Sequence, residues 1–322
     1  MTSWHRFSLL ASVLGLFLFI LVVGCSTHAA SSATVYSPSS PPSFDQEHAF
    51  NDLKQQVAFG FRIPGTPDHD TTRDWLVAQF KLSAGSVTLQ HFTKQIGKKL
   101  LPMDNIIADI PGVGTAPRER VLLCAHWDSR PIADHDPDVK KHHTPIPGAD
   151  DGASGVAVLL EIARQLKAHA IARDITIVLF DGEDYGPQEN NMMLGSKYYA
   201  ANLPKARPAW GILLDMIGNT DLKIPRENYS EAHAGAVNDR IWSAAHKLAL
   251  MRMETLPGFV DKTNDFGITD DHTPLNEAGI PVADLIDFSY APWHTVQDTV
   301  EKCSAESLRI VGITVLYAIS QP

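Results

Sequence analysis

The sequence predicts an α/β fold, a single domain with a central, mostly parallel mixed β-sheet flanked by helices on both faces. Three observations carry that expectation. Residues 175–180 form a continuous apolar, β-branched run, as in a strand covered on both faces. The run ends directly in Asp181-Gly182-Glu183-Asp184, and in open α/β sheets ligands gather beyond the carboxyl ends of strands. Strand-like and helix-like stretches then alternate through the second half of the chain, as a parallel sheet requires. With 322 residues, 44% of them hydrophobic, the chain can bury a full core.

Taken in order, the chain opens with His5 and Arg6 before an apolar run over residues 7–23 that closes on Val22-Val23-Gly24-Cys25. This is the pattern of a secretory signal. Small residues just before a lone cysteine resemble a bacterial lipobox, so residues 1–24 are expected to be the lipoprotein signal peptide and Cys25 the lipidated residue. The protein is then exported and lipid-anchored, and Ser26 favours the outer membrane, on its periplasmic face, over the inner one. Residues 25–43, rich in Ser, Ala, Pro and Thr, read as a flexible tether, leaving residues 44–322 as the catalytic domain.

From Phe44 the spacing of Phe50, Leu53, Val57 and Phe61 predicts a helix, stopped by Arg62-Ile63-Pro64-Gly65-Thr66-Pro67. A second helix over 68–82 places Trp75, Leu76 and Phe80 on one face. Strands are expected at 87–92, 105–110 and 120–128, the last ending in His126-Trp127-Asp128. A long loop rich in Pro, Asp and His (129–147) leads to Gly148-Ala149-Asp150-Asp151-Gly152, which opens a helix reaching residue 169. After the central strand, helices are expected at 193–201, 238–250 and 305–319, with strands at 210–216 and 280–286.

The formal net charge of −10 argues against a nucleic-acid partner, because there is no basic surface to displace counterions from phosphates. Three cysteines are too few for a disulfide framework; Cys124, inside a core strand, reads as a small buried hydrophobe.

Six polar residues fall at or just beyond the expected strand ends: His126, Asp151, Glu183, Asp184, Asp215 and His294. Two imidazoles and several carboxylates on one sheet edge form a nitrogen–oxygen donor set suited to Zn²⁺. The adjacent acids Glu183 and Asp184 can diverge, one gripping a metal while the other moves a proton.

In order and type these motifs resemble the glutaminyl cyclases of animal type, and most of all their bacterial lipoprotein branch, in the zinc aminopeptidase-like fold family. The resemblance runs from Arg62-Ile63-Pro64-Gly65-Thr66 through Ala125-His126-Trp127-Asp128-Ser129, Gly148-Ala149-Asp150-Asp151, Phe180-Asp181-Gly182-Glu183-Asp184, Leu214-Asp215-Met216-Ile217-Gly218 and Asp270-Asp271-His272 to Trp293-His294-Thr295. It implies one Zn²⁺ per chain held by Asp151, Asp184 and His294, with Glu183 transferring the proton. It also implies a short carboxylate network of Asp215 and Asp270 beside Glu183, Asp270 binding the leaving amide. Trp293, Ile268, Trp127 and Tyr290 would line the substrate pocket, and Asp151–Gly152 would be a cis peptide. The implied substrate is a peptide or protein with N-terminal glutamine, acted on by a monomer.

Three departures from the animal enzymes stand out. Residues 185–191 are shorter and lack a tryptophan, Asp184 replaces a glutamate, and Cys124 has no partner for the bridge found there. Two other readings compete. On the same scaffold, a two-zinc aminopeptidase would bind its second metal through His126 and Asp215, with Asp151 bridging. From another class, the chain could be a surface-anchored binding lipoprotein with a degenerate site, or a metal scavenger using Asp134-His135-Asp136 and His142-His143.

Overall fold

The computed structural model describes residues 42–252 and 258–321. The expected signal peptide, Cys25 and nearly all of the expected tether lie outside the described residues. Helices α1 (Gln46–Ala58) and α2 (Pro67–Lys81) come first. Strands β1 (Ser86–Ile96), β2 (Lys99–Ile110) and β3 (Arg120–His126) follow, then helix α3 (Ala153–Ala168) and strand β4 (Asp174–Phe180). The second half runs α4 (Leu194–Ala201), β5 (Trp210–Asp215), β6 (Ile224–Arg226), α5 (Asn228–Arg252), β7 (Phe259–Thr263), α6 (His272–Glu277), β8 (Val282–Ile286) and α7 (Ala305–Ser320).

The main sheet has six strands in the order β1-β2-β4-β3-β5-β8. β1 and β2 pair antiparallel, as do β2 and β4, whereas β4, β3, β5 and β8 run parallel to their neighbours. Side chains of these central strands alternate between two cores. Val121, Leu123, Ala125, Ile177 and Leu179 face one, and Leu122, Cys124, Val178 and Phe180 face the other. Period-2 alternation with both faces apolar is what a sheet sandwiched between helices demands. Helices α1, α3, α5 and α7 pack among themselves on one side, while α4 and α6 pack together on the other. Parallel register sets His126 opposite Phe180 and Asp215 opposite Ile286, so the carboxyl ends of these strands share one edge.

Local chemistry explains the main boundaries. Thr66 caps α2, its hydroxyl accepting from the His69 amide, with Pro67 in the first turn. Ser304 caps α7 the same way. In α1 the buried residues are Ala49, Asp52, Leu53 and Gln56. The helix ends at Ala58, so Phe61 lies beyond it and is 38% exposed. β6, β7 and α6 have no counterpart among the predicted elements, being six residues or fewer. The helix expected at 238–250 begins ten residues earlier, with a non-helical Ala234 inside it.

Candidate metal centre

The loops leaving that sheet edge bring the candidate ligands together. Asp151 stands just before α3, Asp184 follows β4, and His294 follows β8. Donor atoms of Asp151, Asp184 and His294 all lie within 4.8 Å of one another. His294 Nε2 is 3.2 Å from Asp184 Oδ1 and 3.7 Å from Asp151 Oδ2. All three side chains are buried, and Asp151 Oδ2 and Asp184 Oδ2 have no hydrogen-bond partner. Buried carboxylate oxygens without donors are costly unless something cationic satisfies them. The donor set, its spacing and its orphaned atoms therefore fit a divalent ion such as zinc. His294 adopts a left-handed φ of 56°, as does Met216 at 45° next to Asp215; such strain in non-glycine residues is concentrated at functional sites.

A second set shares Asp151. His126 Nε2 lies 3.0 Å from Asp151 Oδ1 and 3.3 Å from Asp215 Oδ1, and Asp215 Oδ1 has no hydrogen-bond partner. Burial alone would lower the pKa of His126, but Asp215, with Asp128 and Asp151, raises it well above the ordinary value. Glu183 is buried among the same groups. Burial, then Asp270 and Asp184, push its carboxyl well above the usual range. Asp270 is raised likewise by burial, Asp215 and Asp271, and its Oδ2 has no hydrogen-bond partner. The seven residues Asp151, Asp184, His294, His126, Asp215, Glu183 and Asp270 thus converge on one region.

Sequence reasoning missed the residues that hold these loops still. Asp128, fully buried, accepts from the amides of both Glu183 (3.0 Å) and Asp184 (3.2 Å). Asp298 does the same for Asp150 (2.8 Å) and Asp151 (3.2 Å). Arg62, also fully buried, donates to the carbonyls of Trp127, Pro147 and Gly148. Asp128 and Arg62 sat inside quoted motifs, but neither residue's partners are local, so spacing carried no signal for their role.

Two expectations need correction. Trp127 does not reach the pocket rim: it is fully buried in the core, stacked on His69 at 4.2 Å, with its indole N–H on the Asp104 carbonyl. Its side chain continues the alternation that puts Val121, Leu123 and Ala125 in the same core, and its backbone N–H still donates to the Phe180 carbonyl at 3.0 Å. Tyr290 is buried, donates its hydroxyl to Asp298 at 2.8 Å, and packs in one apolar cluster with Ile268 and Trp293. The cis bonds of the described residues are Ala116–Pro117 and Gly186–Pro187; Asp151–Gly152 is not one of them. Gly152 instead makes its turn at φ 95°, where an added Cβ would meet the Asp128 carbonyl and the His126 ring at 2.9 Å.

Ile268 and Trp293 pack in one apolar cluster with Met216, and Trp293 lies 4.0 Å from the His294 ring. Cys124 and Cys303 are free. Asp134 and His135 approach His294. Asp136 instead accepts from the Val296 amide, and its carbonyl contacts His142 Nε2, so the loop forms no separate trap with His142 and His143 among the described residues.

The sequence profile of peptidase family M28 matches residues 105–319. A Bacteroides thetaiotaomicron structure, described as a glutaminyl cyclase bound to N-acetylhistamine, is 36% identical and covers 88% of this chain and 100% of its own, with a TM-score of 0.80. A Parabacteroides distasonis structure described as a Zn-dependent exopeptidase gives the same identity, coverage and TM-score. Aminopeptidase YwaD of Bacillus subtilis is 31% identical over 208 residues, 62% of this chain but 40% of that protein. With a profile match over most of its length and full-length structural relatives, the chain belongs to peptidase family M28.

Proposed function

We propose that the chain is a zinc-dependent glutaminyl-peptide cyclotransferase with one zinc per chain, converting N-terminal glutamine to pyroglutamate and releasing ammonia. The observation that carries this reading is the second buried carboxyl, Asp270, set against Glu183 beside the Asp151, Asp184 and His294 donors. Peptide hydrolysis and cyclisation alike need a group that carries a proton from the attacking nucleophile to the departing nitrogen. Cyclisation of a side-chain amide gains from a further acid that holds the departing nitrogen.

Zinc held by Asp151, Asp184 and His294 supplies Lewis-acid polarisation of the glutamine side-chain carboxamide. The remaining work falls to the protein. The α-amine and carboxamide belong to one substrate residue, so ring closure is intramolecular and orientation supplies much of the rate. Glu183 accepts a proton from the attacking amine as the new C–N bond forms. It delivers that proton to the carboxamide nitrogen as the old C–N bond breaks, and ammonia leaves. Asp270 holds the departing nitrogen, while Trp293 and Ile268 form the apolar wall that excludes water.

A two-zinc aminopeptidase is the second reading, favoured by the His126–Asp151–Asp215 set. Incubation with a glutamine-initiated peptide and with leucine anilide separates the two. Ammonia from the first substrate and no amine from the second is the expected result. Amine release without ammonia would replace the cyclase with the peptidase.

A further inference from the structure

Arg130 is 3% exposed and reaches one ligand directly. Its Nη1 donates to Asp184 Oδ1 at 2.5 Å, while Asp184 Oδ2 has no hydrogen-bond partner. The other edge of the guanidinium grips Asp134 as a fork, Nε to Oδ1 at 2.7 Å and Nη2 to Oδ2 at 2.8 Å. Asp134 Oδ1 in turn lies 3.7 Å from His294 Nδ1, a buried nitrogen without a hydrogen-bond partner. The next residue ties the same two segments through the backbone, His135 N–H donating to the His294 carbonyl at 3.1 Å. Space for the guanidinium comes from Gly186, where an added Cβ would lie 2.5 Å from Arg130 Nη1.

We infer that Arg130 and Asp134 form a positioning pair that seats Asp184 and His294 together for a single cation. The inference rests on the reading of Asp151, Asp184 and His294 as the metal site. Three physical points support it. A guanidinium offers donors in a rigid plane, so it fixes Asp134 and Asp184 relative to each other in a way a lysine cannot. Its bond to Asp184 Oδ1, the oxygen that also lies 3.2 Å from His294 Nε2, fixes the rotation of this short carboxylate beside the histidine and leaves Oδ2 without a protein partner. Asp134 is the carboxylate facing the far side of the His294 ring. At 3.7 Å it is not hydrogen-bonded to Nδ1; its charge faces that side of the ring while Nε2 is turned to Asp184 and Asp151, 3.2 and 3.7 Å away. Because Asp134 and Asp184 together offset the guanidinium charge, Arg130 acts through geometry and does not repel the ion.

The test is zinc affinity by competition against a chromophoric chelator, read beside the visible spectrum of the Co²⁺-substituted protein. Outer partners of metal ligands typically govern affinity by about 10–100-fold, and Arg130→Ala is expected to raise the zinc dissociation constant by that amount and shift the cobalt bands. Arg130→Lys is expected to fall between it and the unaltered protein, and Asp134→Asn to shift the bands in its own right. Arg120→Ala, whose partners Asp109 and Asp174 belong to another part of the sheet, is expected to leave both readings unchanged. If Arg130→Ala does not fold, Asp134→Asn decides. Unchanged affinity and spectrum in the folded pair variants, with zinc still bound by the unaltered protein, would overturn the inference alone. Zinc binding that survives Asp184→Ala would instead overturn the reading of the metal site beneath it.

Discussion

Asp128→Asn offers the sharpest test of how the site is held. In the structure this fully buried carboxylate accepts two backbone donors, Glu183 N at 3.0 Å and Asp184 N at 3.2 Å. Asparagine keeps one acceptor and turns an N–H₂ group toward the other amide. One charge-assisted bond is lost, the second becomes neutral, and a buried N–H is left facing a donor. Hydrogen bonds to charged groups contribute about 1.5–3 kcal/mol and an unsatisfied buried donor costs about 1–3 kcal/mol. These overlap, so the expected loss is about 2–4 kcal/mol, a large part of the roughly 5–15 kcal/mol typical of a folded protein. Urea unfolding in the presence of a chelator measures it without a contribution from bound metal. The same variant should lower kcat, since Glu183 and Asp184 hang from the amides that Asp128 fixes. A stability within about 0.5 kcal/mol of the original, the range of an ordinary surface change, would refute the clamp.

Glu183→Gln is expected to keep its zinc but lose about 10²–10⁴-fold in kcat, the usual contribution of a positioned acid–base group; metal analysis and ammonia release on one sample check both halves. Trp127→Ala should cost about 3–5 kcal/mol in unfolding experiments, as large-to-small core changes do, whereas Trp293→Ala should act mainly on KM. Burial, against the pull of His69, holds the Asp181 carboxyl at about 6. The folded protein therefore keeps a proton that the unfolded chain releases near the ordinary carboxylate value. The stability linked to Asp181 is present below that value and lost as pH rises through about 6. Burial lowers the pKa of His69, but Asp181 more than offsets it, and the net rise adds a loss of the same sign at higher pH. Thermal unfolding followed over this window should fall with rising pH, and Asp181→Asn should flatten the slope.

The sheet was legible because its strands are covered on both faces. An uninterrupted apolar run such as 175–180 has few alternatives, and the acids ending it fell at the strand edge where they were expected. Asp151, Asp184 and His294 were found through motif order. Their convergence depends on the parallel register of β4, β3, β5 and β8, which no single stretch encodes. The clamps stayed hidden for the same reason: Asp128 acts on residues 55 and 56 positions away, and Asp298 on residues nearly 150 away. Trp127 misled because a tryptophan beside a site histidine looks like a wall. The neighbour that decides otherwise, His69, comes from α2. Short elements such as β6, with three residues, cannot display a period at all.

Anomalous diffraction at the zinc edge from zinc-loaded crystals tests the centre most directly. One peak about 2 Å from donor atoms of Asp151, Asp184 and His294, with Glu183 facing it, is the result expected here. Two peaks of equal height, the second between His126 and Asp215, would contradict the single-ion account and point to the peptidase.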